Sequence, residues 1–392
     1  MKNRLVTLML CLAMYGCDDN RGSATGLEPM GPGPYPVAST NMEVLPEYAG
    51  IGDDAMLEVL LGRQGDDGES RFVIDILKYP EAAWIVDVPV PNEPDLYGPA
   101  SAQELPVLSF IVYPSKAGGQ ENRYEFPYQE SRFGVFDDML APGETPGFAG
   151  SNDRYPLIVL AHGASAHGIY DVGRAHNLAS HGYIVAVLTY GDDRTVTSPS
   201  EYDHVGFLRP LLTKAVIDSL LDSEMFGNNI DHDSIGISGH SFGGFTSLAI
   251  AGGPFRGNPS TVSDDRIKAG VIAAPWVGNP KNADKPFAFG PDNSGLNKVS
   301  VPFICLFGTS DESTTAASIL PAMRQLGGPT YVVELVDQPH IFEDGSWKDR
   351  DGWELLFFSA YLKRDPASLA RLETGQSMKG GNEDIQLFDY QK

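Results

Sequence analysis

Gly239-His240-Ser241-Phe242-Gly243 sets a hydroxyl where the chain passes from a short apolar run, Ile235 to Ser238, into a helix-like stretch, Thr246 to Ala251. A serine between strand and helix occupies a strained turn. The positions two residues to either side must then be nearly free of side chain, which glycine provides. The chemistry this supports is nucleophilic attack on a carbonyl, given a base to take the proton and an acid to orient the base. Elbows of this kind draw the acid and then the histidine from later in the chain. Eight histidines stand at 162, 167, 176, 181, 204, 232, 240 and 340, and only His340 lies beyond Ser241. Between the two lie Asp264, Asp265, Asp284, Asp292, Asp311, Asp337, Glu312 and Glu334. A working acid belongs in the loop after a strand's carboxyl end. Asp311 meets this condition: it follows the apolar run Val301 to Phe307, with Gly308 and Ser310 making the turn. Asp264 and Asp265 fall in a Gly/Pro/Ser-rich stretch and Asp337 shares the loop of His340, so all three read as solvated.

The roles follow from the chemistry. His340 takes the Ser241 proton as the oxygen attacks, Asp311 holds the imidazole in the productive tautomer, and the same histidine then activates water. The developing oxyanion needs two N–H donors, one from the residue after the nucleophile and one from an earlier loop. Phe242 is the first. The second is expected in His162-Gly163-Ala164-Ser165, after the apolar run Leu157 to Ala161; Ala164 is the choice, because Gly163 lets the chain turn. This chemistry calls for no cofactor.

Positioning these groups takes alternating strands and helices. From Tyr155 onward, apolar strands are predicted over 157–161, 183–189, 235–238, 267–274, 301–307 and 330–336. Helices are predicted near 171–181, 209–225, 242–251, 315–326 and 351–363. Such alternation is the pattern of right-handed βαβ units and a mostly parallel sheet. Two earlier strand-like runs, Arg71 to Leu77 and Val107 to Tyr113, are expected to make an antiparallel amino-terminal edge, followed by a surface loop from Ser115 to Asn152. The predicted architecture is therefore α/β, a twisted sheet of eight strands with helices on both faces.

At Ala161-His162-Gly163-Ala164, Gly239 to Gly244 and His340 the chain resembles the α/β-hydrolase superfamily, over roughly residues 105–370. Within it the likeness is to platelet-activating-factor acetylhydrolases, dienelactone-hydrolase-like proteins and the cutinase-like polyester hydrolases. The acetylhydrolases carry their acid just after the strand that follows the elbow helix, where this chain has Ala273-Ala274-Pro275-Trp276. That segment is similar to the polyester-hydrolase pattern, which implies an acyl-subsite role for Trp276 and an acid after the next strand, as at Asp311. Read by itself, Trp276 is equally a core aromatic. True dienelactone hydrolases use a cysteine nucleophile, so Ser241 argues against that activity.

The whole of 392 residues, 42% hydrophobic, can bury the core of one large catalytic domain. A formal net charge of −24 disfavours nucleic acid and anionic membrane surfaces as partners. Lys2 and Arg4 precede an apolar run, Leu5 to Ala13, too short to span a membrane, which predicts an export signal over 1–16 cleaved before Cys17. Cys17 would then carry lipid, as in a bacterial envelope lipoprotein; an ordinary signal peptide cut elsewhere and a secreted product is the other reading. Residues 17–46 read as a tether, 47–375 as the hydrolase domain and 376–392 as a tail. His167, His176 and His181 lack any zinc-type spacing, so no metal is expected. Cys305, in an apolar strand, reads as a small hydrophobe. Two function classes remain: a serine hydrolase of carboxylic esters, whose substrate is a small ester, a phospholipid acyl group or a polyester, and a catalytically silent binding protein of the same fold.

Overall fold

A computed structural model describes residues 31–65, 68–116, 124–129, 138–150, 153–196, 202–278, 287–343, 345–378 and 385–391. The expected signal and Cys17 lie outside the described residues. Eleven strands form one sheet: β1 (Val37–Ser39), β2 (Trp84–Pro89), β3 (Glu104–Pro114), β4 (Asp138–Met139), β5 (Tyr155–Ala161), β6 (Ile184–Thr189), β7 (Ile230–His240), β8 (Ile267–Ala273), β9 (Phe303–Gly308), β10 (Thr330–Leu335) and β11 (Ile385–Gln391). The helices are α1 (Asp53–Leu61), α2 (Pro94–Tyr97), α3 (Val172–Ser180), α4 (Tyr202–Asp222), α5 (Phe242–Ile250), α6 (Ala316–Met323), α7 (Ser346–Tyr361) and α8 (Pro366–Leu372).

The strand order is β11-β10-β9-β8-β7-β5-β6-β3-β1-β4, with β2 also on β3. Strands β5 to β10 run parallel, while β3 pairs antiparallel with β6, β1 and β2. The strand run predicted from Tyr155 onward is thus the parallel centre, and the antiparallel amino-terminal edge is present. Burial explains why the centre was so apolar. In β5 all seven residues are buried, since parallel strands covered by helices on both faces have no solvent side. Leu157, Val159 and Ala161 face one core beneath α4, α5 and α6; Ile158 and Leu160 face the other beneath α3 and α7. Helix α4 joins its core through Val205, Leu208, Leu212, Val216 and Leu220, a stripe at three- and four-residue spacing.

The edges differ from expectation. The run Arg71 to Leu77 is no strand: Val73–Ile76 form a 3₁₀ turn, closed by the Phe72 N–H donating to Asp75 Oδ2 at 2.7 Å. Its buried residues, Phe72, Val73, Ile76 and Leu77, recur at helical spacing, with Asp75 as the polar break. The sheet has eleven strands rather than eight because short edge pairings add to it. Within the stretch read as a tether, Val37–Ser39 pair with Val112–Pro114 and are buried. In the stretch read as a tail, β11 pairs antiparallel with β10. Short edge strands gain their order from the partner strand, so their own sequence carries little signal.

Candidate active site

The candidate groups gather at the carboxyl ends of the parallel strands. Strand β7 delivers Ser241, which adopts φ 55° and ψ −117° between strand and α5. For a residue with a side chain this is a strained conformation, held only because the surroundings over-determine it. Its N–H donates to the Ala273 carbonyl at 2.9 Å, and its carbonyl accepts from the N–H groups of Trp276 at 2.9 Å and Phe245 at 3.1 Å. The flanking glycines are required by contact as well as by torsion. A Cβ at Gly239 would lie 2.2 Å from the Gly243 backbone, and one at Gly243 only 1.9 Å from the Ala161 carbonyl oxygen.

Three residues beyond β9 stands Asp311, its side chain inaccessible to solvent. Oδ1 accepts the N–H groups of Ser313 at 2.7 Å and Thr314 at 2.8 Å; Oδ2 accepts the Thr314 hydroxyl at 2.7 Å and His340 Nδ1 at 2.8 Å. Burial pushes this carboxyl up, but the hydrogen bonds from His340 and Thr314 outweigh it and hold the pKa below the ordinary carboxylate value. A carboxylate only accepts, so Nδ1 of His340 carries the proton and Nε2 keeps the lone pair. The loop that carries His340 is fastened to the elbow itself: His240 Nε2–H donates to the His340 carbonyl at 2.7 Å, and the two rings lie 4.8 Å apart. Burial, with the charge of His340 next, lowers the His240 pKa to about 4 and keeps it a neutral donor.

On the other side of the elbow lies the turn after β5. Gly163 abuts Ser241, a Cβ there falling 3.5 Å from Ser241 Cβ. His162 is buried beneath the turn; its Nδ1–H donates to the Gly163 carbonyl at 2.8 Å and its Nε2 accepts the Tyr190 N–H at 3.2 Å. Burial, followed by the charge of Arg209, lowers its pKa to about 4, so it braces the turn as a neutral ring. Ala164 is exposed next to it, and Phe242 is buried as the first residue of α5.

A model described as the alpha/beta hydrolase family matches residues 158–383. This chain belongs to the alpha/beta hydrolase family. It is similar to platelet-activating factor acetylhydrolase of Cavia porcellus, 23% identical over 291 residues, 64% of this chain and 55% of that one. The same enzyme of Canis lupus familiaris is 22% identical over 228 residues, 43% and 49% of the two chains. That of Bos taurus is 24% identical over 189 residues, 36% and 40%. The chain spans about half the length of the relatives it matches.

Within this alpha/beta hydrolase the candidates from sequence fall into place unevenly. Asp311 and His340 are in contact, and His340 is tied to the residue before Ser241. Trp276 is half-buried, its ring 5.5 Å from those of Phe242 and Phe245. Asp264, read as solvated, is instead buried at 5% exposure and bound by Arg266 Nε at 2.8 Å; the sequence hid this because Arg266 lies on the next strand's approach, not on a recognisable motif. Asp337 is exposed, and Asp284 lies outside the described residues. Cys305 is buried, its thiol pushed up by burial. Among the described residues no three His, Cys, Asp or Glu side chains group as a metal would need.

Sequence reasoning missed Thr314, which donates to Asp311 Oδ2 and lies 3.3 Å from His340 Nδ1. The signal was available: an aspartate whose own carboxylate accepts the N–H two and three residues on makes an Asx turn, and threonine is a frequent closer of such turns. His240, to which the sequence assigned no role, anchors the His340 backbone. No local signal could have found that, since the contact joins residues a hundred positions apart.

Proposed function

We propose that this alpha/beta hydrolase cleaves carboxylic esters with Ser241 as nucleophile, His340 as general base and then acid, and Asp311 as the orienting carboxylate. The observation that carries this is the Nδ1–H of His340 donating to a buried, ionised Asp311 while the His340 loop is tied to the elbow beside Ser241. In the first half-reaction the Ser241 oxygen bonds to the ester carbonyl carbon and its proton passes to His340 Nε2. The tetrahedral oxyanion is met by the N–H groups of Ala164 and Phe242. His340 returns the proton to the departing alcohol, leaving an acyl-serine; water then repeats the sequence and releases the acid. Neutral His162 and His240 suit this site, because a second imidazolium would oppose protonation of His340.

Trp276, half-buried against the Phe242 ring and with its backbone N–H bonded to the Ser241 carbonyl, supports an apolar acyl group as the substrate part bound there. The relatives' name, acetylhydrolase, favours short acyl chains on a lipid as a second reading within the same chemistry. Polyester hydrolysis and a silent binding role stay open as outcomes of the test. A fluorophosphonate probe should label the wild-type chain and leave Ser241→Ala unlabelled; an unlabelled wild type sinks the enzyme. A panel of p-nitrophenyl esters graded by acyl length, run beside a phospholipid and a polyester film, then identifies the substrate. Export with lipid on Cys17 is proposed alongside, and metabolic labelling with palmitate in wild type but not Cys17→Ala is its test.

A further inference from the structure

Arg209 on α4 is completely buried, and its guanidinium is shared between the turn after β5, which borders Ser241, and the loop after β6. Nε donates to Asp192 Oδ2 at 2.7 Å, Nη1 to the His162 carbonyl at 2.5 Å and Nη2 to the Gly163 carbonyl at 3.1 Å. Its plane also lies over two rings, 4.7 Å from the centre of Tyr190 and 5.0 Å from that of Phe242. A buried ion pair is weak support for stability, since replacing both partners with apolar groups is often neutral or better. The position of this one, against two consecutive carbonyls of the same turn, suggests a different use.

We infer that Arg209 is a positioning residue that sets the oxyanion donors by holding the Gly163 carbonyl and backing the Phe242 ring. The inference rests on the ester-hydrolase reading above. In a trans peptide the C=O and the following N–H point in opposite directions. The Gly163 carbonyl is held by Arg209 Nη2 and by His162 Nδ1–H, so the Ala164 N–H is directed away from the guanidinium. A Cβ built on Gly163 would lie 3.5 Å from Ser241 Cβ, so this residue borders the reacting centre. A rotated peptide would present a carbonyl oxygen where the oxyanion needs a donor. The fork of an arginine suits the task, because five donors in a rigid plane can span adjacent carbonyls while a lysine ammonium acts as a point charge. Donors fixed before reaction stabilise charge without reorganising, which is where most of their catalytic value lies. Phe242 supplies the other N–H, and its ring packs on the same guanidinium, so one side chain supports both donors.

The experiment uses the full chain with Arg209→Lys and Arg209→Met, steady-state hydrolysis of a p-nitrophenyl ester, and inhibition by an aryl trifluoromethyl ketone. With that ketone the Ser241 oxygen adds to the carbonyl carbon, its proton goes to His340, and the carbonyl electron pair becomes an oxyanion in the proposed site. Rates are normalised to the fraction labelled by a fluorophosphonate, so that misfolded protein is not counted. We expect kcat to fall about 10- to 100-fold in both variants, short of the roughly 100- to 1,000-fold that removal of an oxyanion donor costs. KM should change by less than about threefold, the signature of an interaction realised in the transition state. The ketone should weaken by the same factor as kcat/KM, and the pH inflection assigned to His340 should not move. Folded, labelled variants that retain kcat and ketone affinity would overturn the inference, as would failure of both to fold, which would make Arg209 a folding element only. A wild type that is itself unlabelled and inactive would instead overturn the ester-hydrolase reading.

Discussion

Asp311 and Asp192 make an instructive pair. Each stands three residues past a parallel strand, Asp311 after Gly308 and Asp192 after Thr189, and each is about as buried, at 5% and 4% exposure. Burial pushes both carboxyls up, and in both a cationic or hydrogen-bonding partner outweighs it, so both lie below the ordinary value. The difference is the partner. Imidazole can give and take a proton near neutral pH, whereas guanidinium keeps its proton throughout. On the proposed function, the same buried carboxylate would serve proton transfer at Asp311–His340 and geometry alone at Asp192–Arg209.

The largest effect that tests this division is Asp311→Asn, which leaves the shape intact and forces the wrong imidazole tautomer. Its kcat for a p-nitrophenyl ester should fall by about 10⁴. Asp192→Asn should instead lose stability, by about 3 to 5 kcal/mol because a buried guanidinium is left uncompensated, read as a lowered Tm or denaturant midpoint. Equal kcat losses in the two variants would erase the distinction. Next in size is a pH effect near the Asp192 side. His162 has a folded pKa of about 4 against about 6.5 when unfolded, so the unfolded chain binds more protons between those values. Stability should therefore fall as pH drops from about 6.5 to 4, by about 3 kcal/mol from this ring. His162→Gln should flatten that part of the curve. Stability from the two carboxylates persists above their unfolded pKa and is lost only at lower pH, as each falls through its depressed folded value. The smallest change sharpens the Asp311 side: Thr314→Val removes one hydroxyl donor from Oδ2, and kcat should drop about tenfold, in line with about 1.5 kcal/mol for a hydrogen bond to a charged group. An unchanged kcat there would show that the two backbone N–H groups and His340 hold Asp311 without help.

Much of this was legible in the chain itself. Strands β5 to β10 announce themselves as short apolar runs because both of their faces are covered, and the helices between them by stops at Gly182, Gly227 and Gly327. The elements that escaped lie at the edges. β1, β2, β4 and β11 are short or half-exposed, and the run from Arg71 to Leu77, apolar enough for a strand, turns at Asp75 instead. Asp311 could be singled out among eight acids because strand ends are visible in sequence, and the structure sets it against His340; misjudging Asp264 came from the same source, since its burial is made by Arg266 and by packing that no motif records.

Five contiguous residues suffice to dictate the elbow, because the clashes at Gly239 and Gly243 are between neighbours along the chain or the strand beside it. Chain order then reduces eight histidines to one. What sequence could not decide is which distant groups meet: that His240 would fasten the loop of His340, that Thr314 would close on Asp311, and that an arginine on α4 would reach two carbonyls of the turn after β5. Those contacts depend on where separate loops end once the sheet has twisted and packed, and that is fixed by the sum of many buried surfaces rather than by any one stretch of residues.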